Sequence, residues 1–572
     1  MFQLTNHTSS LQLVSLLASH HITHVVVCPG SRNAPLVHDM AEVGMTLHEV
    51  TDERSAGFFA NGLIQALATP VAVCVTSGSA LLNVSPAVAE AYYQQLPLLV
   101  ISADRPSAWI GQADGQTMPQ PDAFGSMVVR SVSLPEGDGE EPRWHRNRLI
   151  NEAILAMQVR HRPAHINVPL SEPLFTFSPK ELPAERVINY SHPQPFAERL
   201  YLDLLPEWRQ SERRMIIVGQ LPPNQLREFF APKRLSMYVR AGIVVLYEQL
   251  SNLQVQLGSG SQSCITTFDD ILSHCNDHQQ QLMAPDLLIT MGGHIVSKRL
   301  KRFLRDNPPQ QHWHVTDSLE QLPDLFQCVT RFVEAQPLHI FDFVCSAARN
   351  SDTCTQTRVA EYLDSWLLNH EFVQDMNARY PNPSPEANIM STLGSLLSKS
   401  WHLQVANSSM VRNLQRFLPN LRNVVRCNRG INGIEGSLST AVGYRATGEP
   451  TLLLIGDLSF FYDQNGLWNA SLHDNRNKAP LRILLINNGG GAIFHHLPGL
   501  EQSPYRDRYV AASHHTTAQG IAEQSGIAYR SLDYISNSVV LSNALSWLLD
   551  TTQKQARVAL LEIIIPEAKP HK

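Results

Sequence analysis

Thr451-Leu452-Leu453-Leu454-Ile455-Gly456-Asp457-Leu458-Ser459 and Leu481-Arg482-Ile483-Leu484-Leu485-Ile486-Asn487-Asn488-Gly489-Gly490-Gly491 share one pattern: a nearly continuous apolar run that ends in small, polar or acidic residues. Short runs of this kind read as strands buried on both faces, which belong to parallel sheets covered by helices. Asp457 and Asn488 lie 31 positions apart, room for one helix and one strand. A single βαβ unit therefore returns both strand ends to the same edge of one sheet. The pattern recurs at His24–Val27, Val71–Val75, Leu98–Ile101, Met215–Val218, Leu287–Thr290 and Val558–Ile565. After these runs come Cys28-Pro29-Gly30-Ser31-Arg32, Thr76-Ser77-Gly78-Ser79, Ala103-Asp104-Arg105-Pro106, Gly219-Gln220 and Gly292-Gly293-His294. An α/β fold with doubly wound, mainly parallel sheets is expected, with ligands at the carboxyl edges of the strands.

Composition agrees. The 572 residues are 43% hydrophobic and 17% charged, ample for large cores, and the net charge of -6 (45 Lys+Arg against 51 Asp+Glu) carries no basic excess for nucleic acid. The proline-bearing stretch 178–196 and the polar stretch 346–358 are candidate linkers, predicting domains over 1–180, 196–346 and 358–572. The 8 cysteines form no Cys-x-x-Cys pair and read as reduced thiols. Met1–Leu11 lacks the basic-then-apolar pattern of a secretory signal, and no apolar run approaches the ~18 residues of a membrane span. A cytoplasmic protein without membrane insertion, acting on small molecules, is expected.

The pair at Asp457 and Asn488 suits a hard divalent cation. Asp457 offers a carboxylate, Asn488 an amide oxygen and Gly490 a backbone carbonyl, and two oxygens of a diphosphate join them, which leaves one place of an octahedron for water. Glycines let the backbone approach phosphate closely. The blander reading makes these two ordinary βα turns with Asp457 as a helix cap. Their occurrence together, beside three successive glycines, favours the metal site.

This Gly-Asp, interval, Asn pattern resembles the motif of the thiamine diphosphate-dependent enzymes. The interval is slightly long, and the surplus is placed in 474–478. The resemblance implies three α/β domains of the decarboxylase type, thiamine diphosphate held through Mg2+ or Mn2+, and sites shared between subunits of a homo-oligomer, at least a dimer. It also implies a carboxylic acid from the first domain that activates the cofactor. Glu53 is the candidate, at the polar start of a helix whose body is small and apolar, as at a subunit interface. Otherwise, Asp52-Glu53-Arg54 is a charged first turn. The stretches Thr76–Asn83 and Leu96–Pro106 resemble the family's pyrimidine-binding domain. Ile434, Ile493 and Phe494 are expected to shape and cover the cofactor, with Ser408 beside it.

Cations follow several strands: Arg32, Arg105, Lys298, Arg299, Arg412 and Arg429. Arginines among Gly, Ser and Asn suit bidentate carboxylate binding. Together with Ser297–Leu300, Asn407–Arg412 and Asn428-Arg429-Gly430-Ile431-Asn432-Gly433-Ile434-Glu435-Gly436, they resemble the menaquinone-pathway branch of the family. That resemblance implies a transferase that decarboxylates 2-oxoglutarate and adds the succinyl carbanion equivalent to isochorismate by 1,4-addition. Ser408, Arg412 and Arg429 then hold one substrate's carboxylates. Ser31, Arg32, Arg105, Gln116, Lys298 and Arg299 serve the two substrates together. At Gln112–Gln116 the chain departs from the branch: Gly115 stands where an Asn is usual, so either Asp114 substitutes or the register shifts by one. An acetolactate synthase-like carboligase and a nucleotide-binding protein without thiamine chemistry are the alternatives. The strand ends carry no Gly-x-Gly-x-x-Gly turn for the latter.

Overall fold

The structure is a computed structural model that describes residues 2–190, 197–223, 238, 241–255, 257, 264–316, 322–349, 353–469, 472, 479–497, 499–551 and 557–565. Three six-stranded sheets carry the chain, and every strand pairing within them is parallel. The N-terminal sheet runs, edge to edge, Thr46–Glu49, His24–Val27, Val71–Val75, Leu98–Asp104, Ala164–Pro169, Arg130–Ser133. The middle sheet runs Cys264–Ile265, Ile243–Tyr247, Arg214–Val218, Leu287–Met291, Gln311–Thr316, Arg331–Glu334. The C-terminal sheet runs Val425–Arg426, His402–Val405, Thr451–Gly456, Leu481–Asn487, Val558–Ile564, Ala528–Asp533.

Numbered by order along the chain, the first and third sheets share the strand order 2-1-3-4-6-5, whereas the middle sheet is 3-2-1-4-5-6. The order turns between strands 1 and 4 at the centre of the middle sheet, and between strands 1 and 3, one place off centre, in the other two; there the loops diverge to opposite faces and leave a crevice. Backbones crowd at these points. A β-carbon on Gly30 would stand 2.4 Å from the Thr76 Cβ, and one on Gly219 would stand 2.4 Å from the Gly293 carbonyl oxygen.

The first and third sheets share one core through two helices, Glu53–Leu67 and Ser437–Arg445. Their backbones touch. A β-carbon on Gly443 would lie 2.1 Å from the Phe59 carbonyl oxygen, and one on Gly62 would lie 2.1 Å from that of Thr440. Only glycine permits that approach.

Both expected linkers are partly structured. Phe177–Lys180 is a strand, antiparallel to Phe2–Thr5, which ties down the start of the chain. Helices Pro337–Arg349 and Thr353–Arg379 occupy most of 346–358. The second helix packs on the middle sheet's core through Tyr362, Leu363, Trp366 and Val373. The Tyr362 hydroxyl and Trp366 indole N–H both donate to the Met283 carbonyl. The apolar face of this helix thus places it with the middle unit, against the expected start of the third domain at 358. The surplus segment 474–478 lies outside the described residues.

Candidate functional site

At the crevice of the C-terminal sheet, Asp457 opens the helix Asp457–Tyr462 and is nearly fully buried. It is the first helical residue, not the cap; Gly456 holds that position. One carboxylate oxygen accepts the Leu458 N–H at 2.6 Å, the other accepts those of Asn488 and Gly490 at 3.1 and 3.0 Å. The acid thus ties the two strand ends together, as the βαβ argument requires. Burial pushes its carboxyl above the ordinary range, against these N–H donors and nearby His514.

The residues fit a hydrated divalent cation carrying a diphosphate. Asn488 Oδ1 is buried and has no hydrogen-bond partner. Such an acceptor is costly unless something fills it. Asp457 keeps lone pairs beyond its three donors. Gly490 sits at φ +148, and a β-carbon there would lie 2.8 Å from the Ala511 carbonyl oxygen, so only glycine turns the backbone this way. Oxygen donors from Asp, Asn and a carbonyl match a hard cation. No cluster of three or more His, Cys, Asp or Glu side chains suited to a metal occurs among the described residues. His514, whose Nε2 is 3.5 Å from Asp457 Oδ2, is a neighbour that sequence reasoning missed. Ile493 and Phe494 follow the glycines in a short 3-10 turn, both half-buried, and Ile434 is 38% exposed.

Glu53 lies in the first turn of Glu53–Leu67, half-buried, and Oε2 accepts from the Asn83 amide at 3.1 Å. Its neighbours do structural work. Asp52 caps the helix by accepting the Ser55 N–H, and also accepts from Asn465. Arg54 donates to the Tyr462 carbonyl and stacks over that ring at 4.6 Å. The charged-turn reading therefore holds for both neighbours of Glu53.

The cations fall into two groups. At the N-terminal sheet Arg32 is buried; it donates to the Leu170 carbonyl and to Glu172 at 3.1 Å. Arg105 lies 3.6 Å from the same Glu172 and 3.4 Å from Asp114. Asp114 thus meets the arginine in the loop where the sequence departs from its branch. Ser31 and Gln116 are exposed nearby in sequence, Gln116 at φ 55. Glu172 was not foreseen; it follows no apolar run of the kind that marked the other strand ends.

The second group lies where the middle and C-terminal sheets meet. Arg429, 5% exposed, donates to Asn407 Oδ1 at 2.9 Å and to His294 Nε2 at 2.7 Å; its Nε is buried without a partner. Arg412 donates to the Ser408 carbonyl at 2.7 Å, and Ser408 itself is held at φ 66, a strained conformation for serine. The Arg429 loop is gripped from the first domain. Glu90, buried, accepts the N–H groups of Gly430 and Ile431 at 2.7 and 2.8 Å. Of the expected middle-domain cations, Arg299 turns to the Asp269 carbonyl, and Lys298 is exposed. Lys301 is the lysine whose charge environment includes Arg429 and Arg412: burial first, then these guanidinia, hold its ammonium below the usual range despite Glu248.

Residues 8–126 match the family model described as thiamine pyrophosphate enzyme, N-terminal TPP binding domain. Residues 188–403 match the one described as middle domain of thiamine pyrophosphate, a span that includes Thr353–Arg379. The chain is 47% identical over 530 residues to the 2-succinyl-5-enolpyruvyl-6-hydroxy-3-cyclohexene-1-carboxylate synthase of Bacteroides fragilis, covering 91% of this chain and 90% of that one. It is 45% identical over 529 residues to the protein of the same name from Bacteroides thetaiotaomicron, with 91% and 90% covered. The Flavobacterium psychrophilum protein of that name is 34% identical over 558 residues, with 97% and 95% covered.

Proposed function

The chain belongs to the thiamine diphosphate-dependent enzymes, within the family of 2-succinyl-5-enolpyruvyl-6-hydroxy-3-cyclohexene-1-carboxylate synthases, and from that premise we propose that it decarboxylates 2-oxoglutarate and adds the resulting four-carbon unit to isochorismate. The observation that carries the reading is the open end of the C-terminal sheet. There an unpartnered amide oxygen, Asn488 Oδ1, and an unpartnered guanidinium N–H, Arg429 Nε, belong to one sheet edge. Thiamine diphosphate, when bound, supplies the electron sink that allows carbon dioxide to leave a 2-oxo acid.

The chain's own residues supply placement and charge. Asp457, Asn488 and the Gly490 carbonyl hold the divalent cation, Mg2+ or Mn2+. Ile434, Ile493 and Phe494 cover the cofactor, and Ser408 lies beside it. Arg412 and Arg429 take the carboxylates of 2-oxoglutarate. Ser31, Arg32, Arg105, Gln116, Lys298 and Arg299 serve the two substrates together, and isochorismate brings a carboxylate to Arg32 and Arg105. Glu53 holds and moves the activating proton as a general acid–base.

The reading includes a homo-oligomer with shared sites. It is supported by Glu53 standing toward the surface beside Asn83, and by the apolar Leu82 and Ile431, 47% and 39% exposed. No described helix is long and apolar enough to cross a membrane, and a cytoplasmic location suits these substrates.

The test is carbon dioxide release from 2-oxoglutarate by purified protein with thiamine diphosphate and Mg2+. We expect release that requires the cofactor and rises steeply with isochorismate. Turnover of pyruvate in place of 2-oxoglutarate would keep the thiamine chemistry and overturn the substrates.

A further inference from the structure

The middle sheet carries none of the residues assigned to cofactor or metal, yet two side chains from its crevice reach the Arg429 turn of the third domain. Gln220 follows the strand Arg214–Val218, and His294 follows Leu287–Met291, the two strands that flank the reversal. Their loops are locked together. The Gly293 N–H donates to the Gln220 carbonyl at 2.8 Å, and the Gln220 N–H donates to the His294 carbonyl at 3.2 Å. The 2.4 Å clearance at Gly219 allows no side chain between them. The pair therefore projects from a rigid base.

What the pair holds is the Arg429 turn. Gln220 Nε2 donates to the Cys427 carbonyl at 2.9 Å, and the Arg429 N–H donates to that same carbonyl at 2.9 Å. His294 Nε2 meets Arg429 Nη2 at 2.7 Å. A guanidinium has no acceptor, so Nε2 must be the acceptor and the imidazole is neutral, with its proton on Nδ1. Burial, then the charges of Arg429, Lys301 and Arg412, agree by lowering this histidine to about 3. Asn407, the other side-chain partner of Arg429, is neutral too. A carboxylate in either place would cancel the guanidinium's charge. Two neutral acceptors orient it and leave that charge for a ligand.

We infer that His294 and Gln220 are positioning residues for Arg429, so that the middle domain sets the affinity of the site for a substrate carboxylate. The inference rests on the reading above that Arg429 receives such a carboxylate. His294 acts through its acceptor nitrogen and Gln220 through the peptide preceding the turn; neither touches substrate.

Three variants of the cofactor-loaded enzyme test it: His294→Ala, His294→Gln, whose amide oxygen can still accept, and Gln220→Ala. The alanine variants should raise KM for 2-oxoglutarate about tenfold with kcat within about twofold, and His294→Gln should stay within about threefold of wild type. KM for isochorismate should not move. Succinate, a dicarboxylate that cannot react, should bind His294→Ala about tenfold more weakly by calorimetry. Succinate affinity and KM unchanged in His294→Ala would overturn the inference. So would a fall in kcat at constant KM, a His294→Gln variant as impaired as alanine, or a wild-type protein that does not bind succinate. A wild-type enzyme that binds succinate yet turns over neither substrate would sink the functional reading alone, and the succinate comparison would still judge the brace.

Discussion

The N-terminal and C-terminal sheets have the same strand order but treat charge at their carboxyl edges in opposite ways. In the first, Arg32 and Arg105 converge on Glu172, and Asp114 adds a second carboxylate. In the third, Arg429 rests on neutral acceptors, and Asn488 Oδ1 has no partner. Topology fixes where a ligand edge lies; it does not say which edge is ready for a ligand. Buried polar atoms with neither a hydrogen bond nor an ion pair point to it: Asn488 Oδ1 and Arg429 Nε are such atoms, whereas Arg105 Nε at the first edge, also without a hydrogen bond, stands 3.4 Å from an Asp114 oxygen. The third edge leaves buried polar atoms open, while at the first edge Glu172 and Asp114 balance the two arginines.

Breaking the open edge should have the largest effects. Asn488→Ala removes the unpartnered oxygen while leaving the N–H that Asp457 holds. Mg2+-dependent binding of thiamine diphosphate, followed by calorimetry, should weaken at least about 100-fold. Unchanged affinity would show that the open oxygen is not a ligand. Arg429→Met keeps bulk and loses the cation. Hydrogen bonds to a charged group contribute about 1.5–3 kcal/mol, so KM for 2-oxoglutarate should rise some tens of fold in steady-state kinetics; a normal KM would place the carboxylate elsewhere.

The middle sheet, with its different strand order, offers a third case: a buried carboxylate at the same edge that forms no ion pair among the described residues. Glu248 accepts the N–H groups of Val296 and Ser297, and burial pushes it up to about 7. Its folded value lies above its unfolded one, so its contribution to stability is complete below about pH 4.5 and is lost as pH rises through 7. The buried His165, His312 and His314, lowered by burial to about 4, act with the opposite sign between pH 6.5 and 4. Subtracting Glu248→Gln from wild type isolates the glutamate. From pH 5 to pH 8 the urea midpoint of the variant should gain on wild type by an amount worth on the order of 1–2 kcal/mol. Parallel profiles would refute the shift.

The sequence disclosed eight interior strands because each is an apolar run with an abrupt polar end, but it did not single out Ile243–Tyr247, Gln311–Thr316 or His402–Val405, which are interior too. Edge strands escaped: Thr46–Glu49 and Ala528–Asp533 are mostly half-exposed or exposed and carry no such run. Ala164–Pro169 escaped although it is interior, since His165 and Asn167 stand in the core. They are tolerated there because Ser102, Gln120 and Asp104 satisfy them. The Asp457–Asn488 pairing was legible because one βαβ unit brings it together. His294, Lys301 and Glu90 were not, because they join the site by packing between domains, and no local spacing records that.

The smallest effect should come from the balanced edge, and it has an informative sign. Glu172 has a side chain 69% exposed, so its pairs with Arg32 and Arg105 are worth little, about 0–1 kcal/mol. If isochorismate brings a carboxylate to these arginines, Glu172 must yield, and its charge opposes binding. Glu172→Gln keeps a hydrogen-bond acceptor and removes that charge. KM for isochorismate should fall about threefold, with KM for 2-oxoglutarate unmoved. A rise in KM would mean that Glu172 orients the arginines as His294 orients Arg429, and that the two edges differ less than their charges suggest.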